Sequence, residues 1–159
     1  MVSAINAALS RAGLFVLLFL TALAFHTPAV AQASEMPRGT VTVKTSSGTH
    51  TFTVERAETP EHQSRGLMHR RHMNANHGML FTWPNERNVS MWMANTILPL
   101  DMVFIKKNGQ VHRVHKNTVP FSQTIIEAGA PVLRVLELNA GTAEKINLKP
   151  GDTVKLTSP

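Results

Sequence analysis

The 159-residue sequence has no cysteine. That excludes disulfides, thiol nucleophiles and thiolate metal sites, so the fold must hold by burial alone. Acids are scarce: ten Asp and Glu stand against sixteen Lys and Arg, a formal net charge of +6 with His neutral. Aromatics are scarce too. Beyond residue 31 there are four Phe and two Trp, and the basic residues are spread along the chain except in "RGLMHRRH". With no aromatic-studded basic stripe, nucleic acid is not an expected partner. No Gly-rich phosphate loop, no H-E-x-x-H and no G-x-S-x-G is present. Signatures for cofactor binding, zinc hydrolysis and serine hydrolysis are therefore missing, and no cofactor is expected.

Long hydrophobic runs are missing after the first 31 residues. The one that exists, "AGLFVLLFLTALAF" from Ala12 to Phe25, follows a lone Arg11 and precedes "HTPAVAQA". Its fourteen residues fall short of the ~20 that span a bilayer. Ala29 and Ala31 form an A-x-A cleavage pattern. Residues 1–31 are therefore expected to be a secretory signal peptide, with a retained anchor as the alternative. The chain is expected in the bacterial envelope, periplasmic or secreted, with no transmembrane segment after cleavage. Residues 32–39 read as a flexible tail and 40–158 as one domain with one core. Without Arg11, fifteen basic residues face ten acids, so the exported chain keeps a charge of about +5 and suits anionic surroundings.

Within the domain, "TVTVKT" and "HTFTVER" alternate with period two around "SSG", which is a hairpin signal. Thr59 has the chemistry of a helix N-cap, with Pro60 at the first helical position, so "PEHQSRGLMHR" is expected to be a short helix. "GMLFTW" and "NVSMWM" read as strands around a turn at "PNER". Asn108-Gly109 joins "LDMVFIKK" to "QVHRVHK" as a hairpin. "VLRVLEL" and "TVKLT" are further strands, with a weak helix or turn at "GTAEKINL". The expected fold is mainly β: a single antiparallel β-sandwich or partly open barrel of about eight short strands with one or two short helices.

Five blocks, "ERAETPEHQSRGLMHRRH", "HGMLFTW", "MWMANTILPLDMVFI", "LELNAG" and "KPGD", together resemble the prokaryotic domain of unknown function 192 family, from about Val41 to Leu156. The resemblance implies a compact, β-rich, often exported domain. It implies no activity.

The chemistry-bearing residues gather in "MWMANTILPLDMVFI", Met91 to Ile105. If Val89 to Met93 is extended, Val89, Met91 and Met93 share one face, and Ser90 and Trp92 the other. In the next strand Leu100, Met102 and Phe104 alternate with Asp101, Val103 and Ile105. Both faces are apolar, as in a central strand. An unpaired carboxylate there is costly. Asp101 is thus expected to accept backbone N–H groups or bond Asn95 and Thr96, to pair with a cation such as Arg65, or to face a cleft as an acid or base. On a helix Arg65, His69 and His72 would share one face, which is either an anion site or a solvated basic face. Glu137 shares a strand face with Leu133 and Val135. It is either a second catalytic carboxylate or a paired acid.

These residues support four readings. The first is a non-catalytic envelope module that binds a small polar or anionic ligand through Arg65, Trp92, Asn95, Thr96 and Asp101. The second is a hydrolase-type enzyme with Asp101 as acid or base. The third is an envelope interaction or assembly protein presenting Trp and Met. The fourth is a copper-handling protein using its His and Met, although the spacing of "HRRH" offers no third ligand. No metal site is expected.

Overall fold

The computed structural model describes residues 35–157. The expected signal peptide lies outside them. Among these described residues, nine strands and two short helices follow one another. They are β1 (Arg38–Thr45), β2 (Gly48–Ala57), α1 (Pro60–Arg65), β3 (His77–Arg87), β4 (Ser90–Met91), β5 (Leu100–Ile105), β6 (Val111–His115), β7 (Ile126–Glu127), β8 (Val132–Asn139), α2 (Thr142–Lys145) and β9 (Thr153–Thr157). Seven form a sheet in the order β6-β5-β8-β3-β2-β1-β9, and β4 pairs only with β7. Every neighbouring pair is antiparallel except β2 and β3, which are parallel and joined through α1.

The sheet curls until its edges meet. Val111 N–H donates to Asp152 O at 2.8 Å, and Val154 N–H to Gly109 O at 2.8 Å. The start of β6 thus touches the start of β9, with Gln110 bridging Thr153. The result is a partly open barrel, mainly β as the alternation predicted. All seven strands send side chains into one core, including Val43, Phe52, Leu80, Val103, Val111, Leu136 and Val154. Because even the edge strands contribute, this core is the inside of the curl. A second core covers the outer face of the central strands, with Met79, Phe81, Met102, Phe104 and Val135 packed under Leu67, Val89 and Met93. Each such side chain, fully buried, contributes about 1.5–3 kcal/mol.

Four local expectations are corrected. "PNER" is extended, the end of β3, where the ladder with β8 shifts between Thr82 and Arg87; Pro84, with no N–H to give, suits such an irregularity. Val89–Met93, expected to be a strand, is one only in part. Its ladder is limited to Ser90 and Met91, because Met93 N–H turns to Ser122 O at 2.9 Å. The helix stops at Arg65 rather than continuing to Arg70. Finally, part of the expected flexible tail is held in the fold: β1 starts at Arg38, and Met36 is buried in the outer core.

Candidate functional site

The pleat assigns the two strand acids to opposite sides of the sheet. Asp101 lies across from Leu138, whose side chain is in the inner core. Glu137 lies between Met102 on β5 and Met79 on β3, both in the outer core. Cross-strand partners share a face, so Asp101 points inward and Glu137 outward. A catalytic carboxylate pair is thereby ruled out for these two residues.

Asp101 is fully buried and fully engaged. Its Oδ2 accepts the Ala143 N–H at 2.7 Å, and its Oδ1 accepts the Asn117 N–H at 2.9 Å. Ala143 lies in the first turn of α2, whose own N-cap, Gly141, has no side chain to bond it. Asp101 therefore caps that helix from another strand, and one carboxylate fastens two loops through charge-assisted bonds. It uses neither Asn95, Thr96 nor Arg65, and it does not reach the cleft described next. Of the three expected roles, the backbone fastener is the observed one.

A cleft of about 410 Å³ opens on the outer face. Its walls come from α1 and the turn after it, from the end of β3, and from β4 with the residues beside it. Trp83 and Trp92 give it two aromatic surfaces, Arg65 and Arg87 two positive charges, and Glu137 of β8 reaches it from the sheet. Phe81 lies nearly parallel to Trp83, with ring centroids 6.3 Å apart and planes 16° apart. Trp92 is 49% exposed. Glu137 is only 4% exposed, and its carboxyl has no hydrogen-bond partner among the described residues. Burial pushes its pKa up to about 8, which favours the protonated form at neutral pH.

Of the five residues expected at a site, the cleft unites Arg65, Trp92 and Thr96, while Asn95 and Asp101 are not among its walls. The expected face of Arg65, His69 and His72 does not form. Gly66 ends the helix at φ 47 and His69 turns to φ 63, so the three do not lie at helical spacing. Arg65 reaches the cleft because Gln63 ties α1 to the sheet, donating to Thr82 O at 2.9 Å and Ala57 O at 3.3 Å. Asn95 works behind the wall. It holds φ 56, its carbonyl accepts the His69 N–H at 2.9 Å, and its amide lies 4.0 Å from the Met68 sulfur. Thr96 O accepts the N–H of Phe121, itself at φ 61. Such left-handed non-glycine residues are costly unless their surroundings impose them, and they collect at functional sites.

Sequence reasoning missed Trp83, Arg87 and Gln63. A signal for the first existed: Phe81 and Trp83 are two apart in a strand and so share a face. Among the described residues no three His, Asp or Glu side chains converge on a metal position, and no helix is long and apolar enough to cross a membrane.

Comparison with known proteins agrees with this fold. Residues 41–156 match the model of the family described as DUF192, uncharacterized ACR. A solved protein from Sinorhizobium meliloti 1021, provisionally described as a transcription regulator, is 45% identical with a TM-score of 0.76; the match covers 79% of this chain and 98% of that one. A protein of unknown function from Novosphingobium aromaticivorans DSM 12444 is 38% identical with a TM-score of 0.75, over 81% of this chain and 92% of that one. No curated protein matches. The chain belongs to the DUF192 family.

Proposed function

We propose that this DUF192 protein is an exported envelope module whose outer-face cleft binds a small anionic, polar ligand. One observation carries the reading: two Trp, two Arg and an unpartnered buried carboxyl converge on a 410 Å³ cleft. Small-molecule sites have about this size, mixing apolar walls with a few converging polar groups. Trp92 and Trp83 offer stacking surfaces, Arg65 and Arg87 attract negative charge, and Thr96 supports the wall. Export rests on the leader-like residues 1–31, and N-terminal sequencing of the envelope protein, expected to start at Gln32, checks it. The enzyme reading loses its original acid, because both Asp101 oxygens are occupied by backbone donors.

The test is a thermal-shift screen of sugars, organic anions and metals against wild type, Trp92→Ala and Asp101→Asn. A ligand at 100 times its Kd adds about 2.7 kcal/mol. The expected outcome is a wild-type shift with an anionic compound that Trp92→Ala loses and Asp101→Asn keeps. Asp101→Asn should itself lower the melting temperature, by about 2–4 kcal/mol of stability, because an amide cannot accept both N–H groups. A shift lost in Asp101→Asn and kept in Trp92→Ala contradicts the proposal. So does the absence of any shift together with concentration-dependent self-association, which would move the function to the exposed Val119, Phe121 and Ile125.

A further inference from the structure

Resting on the cleft reading above, we propose that Glu137 is the hydrogen-bonding floor of the site and that the ligand it selects is a sugar acid. Its ring would lie on the Trp walls, its carboxylate toward Arg65 and Arg87, and a ring hydroxyl on Glu137. The Glu137 carboxyl has no protein hydrogen-bond partner among the described residues, and it opens on the cleft rather than being sealed in the core, so a ligand group can take the place of water there. Its protonated form holds one donor and an acceptor side by side. A hydroxyl group, also donor and acceptor, matches both.

Electrostatics exclude the main competitor. An ammonium ligand would have to displace the Glu137 proton and sit in a cleft whose fixed charges, Arg65 and Arg87, are both positive. An anion whose inner end is uncharged meets neither obstacle. The walls then choose the body. Gln63, Ser64, Asn88 and Ser90 add hydrogen-bonding groups around the Trp surfaces, which suits a ring with several hydroxyls and one apolar face more than a plain aromatic acid.

The site should be sensitive to pH through Glu137 itself. The sheet row across it runs Glu55, Met79, Glu137, Met102 and His115. Glu55 is held by Arg70, and that bond keeps the Glu55 carboxyl below its usual range. Burial, then Arg113, lower the pKa of His115. The other titratable or charged groups on the surrounding elements are His50 and Arg56 of β2, Glu61, His62 and Arg65 of α1, His77, Glu86 and Arg87 of β3, His112 and Arg113 of β6 and Arg134 of β8, with Asp101 of β5 on the opposite face. Burial is the cause that raises Glu137. The ligand prefers the protonated form, so affinity holds below about pH 8 and falls as pH rises beyond it. Each further pH unit approaches a tenfold loss.

The experiment is calorimetric titration of the full chain with D-glucuronate and D-galacturonate, with D-glucose and benzoate as controls, at pH 7 and pH 9. The account expects a uronate to bind at least tenfold more tightly than glucose or benzoate, and about tenfold more weakly at pH 9 than at pH 7. Glu137→Gln should bind a few-fold more weakly at pH 7, with that affinity flat to pH 9. Glu137→Ala should lose tenfold or more at pH 7. Uronate binding that Trp92→Ala abolishes but that is flat with pH in wild type overturns the role of Glu137 and leaves the cleft reading standing. Benzoate binding without uronate binding overturns the sugar class, as does no binding of any probe. Uronate binding unchanged in Trp92→Ala overturns the cleft itself.

Discussion

Asp101 and Glu137 sit on adjacent strands, each replacing water in its own way. Asp101 receives two backbone N–H groups and keeps its place as a fastener. Glu137 receives none among the described residues and keeps its proton instead. The sequence marks the two alike, each an acid in an apolar strand. It cannot say that a donor from α2 arrives at one and a cleft at the other, because register between distant strands decides both. The consequence for Glu137 is measurable. Between about pH 4.5 and 8 the folded chain holds a proton that the unfolded chain has released. Stability therefore falls as pH rises through that window and levels off above it, by ~1.4 kcal/mol per pH unit at most. Glu137→Gln should remove this slope, so its advantage over wild type grows from pH 5 to pH 8 in denaturant titrations. Parallel stability curves for the two proteins would contradict the assignment.

At the scale of elements, period-two alternation located β1, β2, β5, β6, β8 and β9, and the Asn108-Gly109 pair placed a hairpin correctly. Strand-to-strand order was not legible, nor was the parallel β2–β3 pair. Local alternation also overstated Val89–Met93. Its buried–exposed pattern is real, with Val89 and Met93 buried and Ser90 and Trp92 exposed, but loop bonds replace most of its ladder. Likewise, the helical spacing of Arg65, His69 and His72 was ended by Gly66, whose backbone at φ 47 breaks the periodicity. One glycine inside a strand carries a clear demand. A Cβ on Gly78 would lie 2.6 Å from the Glu137 carbonyl oxygen and 2.9 Å from Leu138 Cδ2. The close approach of β3 to β8 behind the cleft thus depends on its absence. Gly78→Ala should cost about 1–3 kcal/mol through forced displacement of the strands and lower the denaturation midpoint. An unchanged midpoint would show that β3 and β8 yield without cost.

At the scale of the molecule, a mainly β, partly open barrel was legible because many short alternating runs and turns leave few other architectures. The site was legible only in part. Arg65, Trp92 and Thr96 meet in the cleft, Asn95 shapes it from behind, and Asp101 belongs to the other face of the sheet. That division is the center of the account, and proton–nitrogen correlation spectra of the full chain, titrated with D-glucuronate, test it most directly. The two faces report separately. The account predicts saturable shifts at the Trp83 and Trp92 indole N–H signals and at the amides of Arg65 and Gly66, with the Asn117 and Ala143 amides that hold Asp101 unmoved. Shifts centered on Asn117 and Ala143, or no saturable shift at the two indoles, would contradict it.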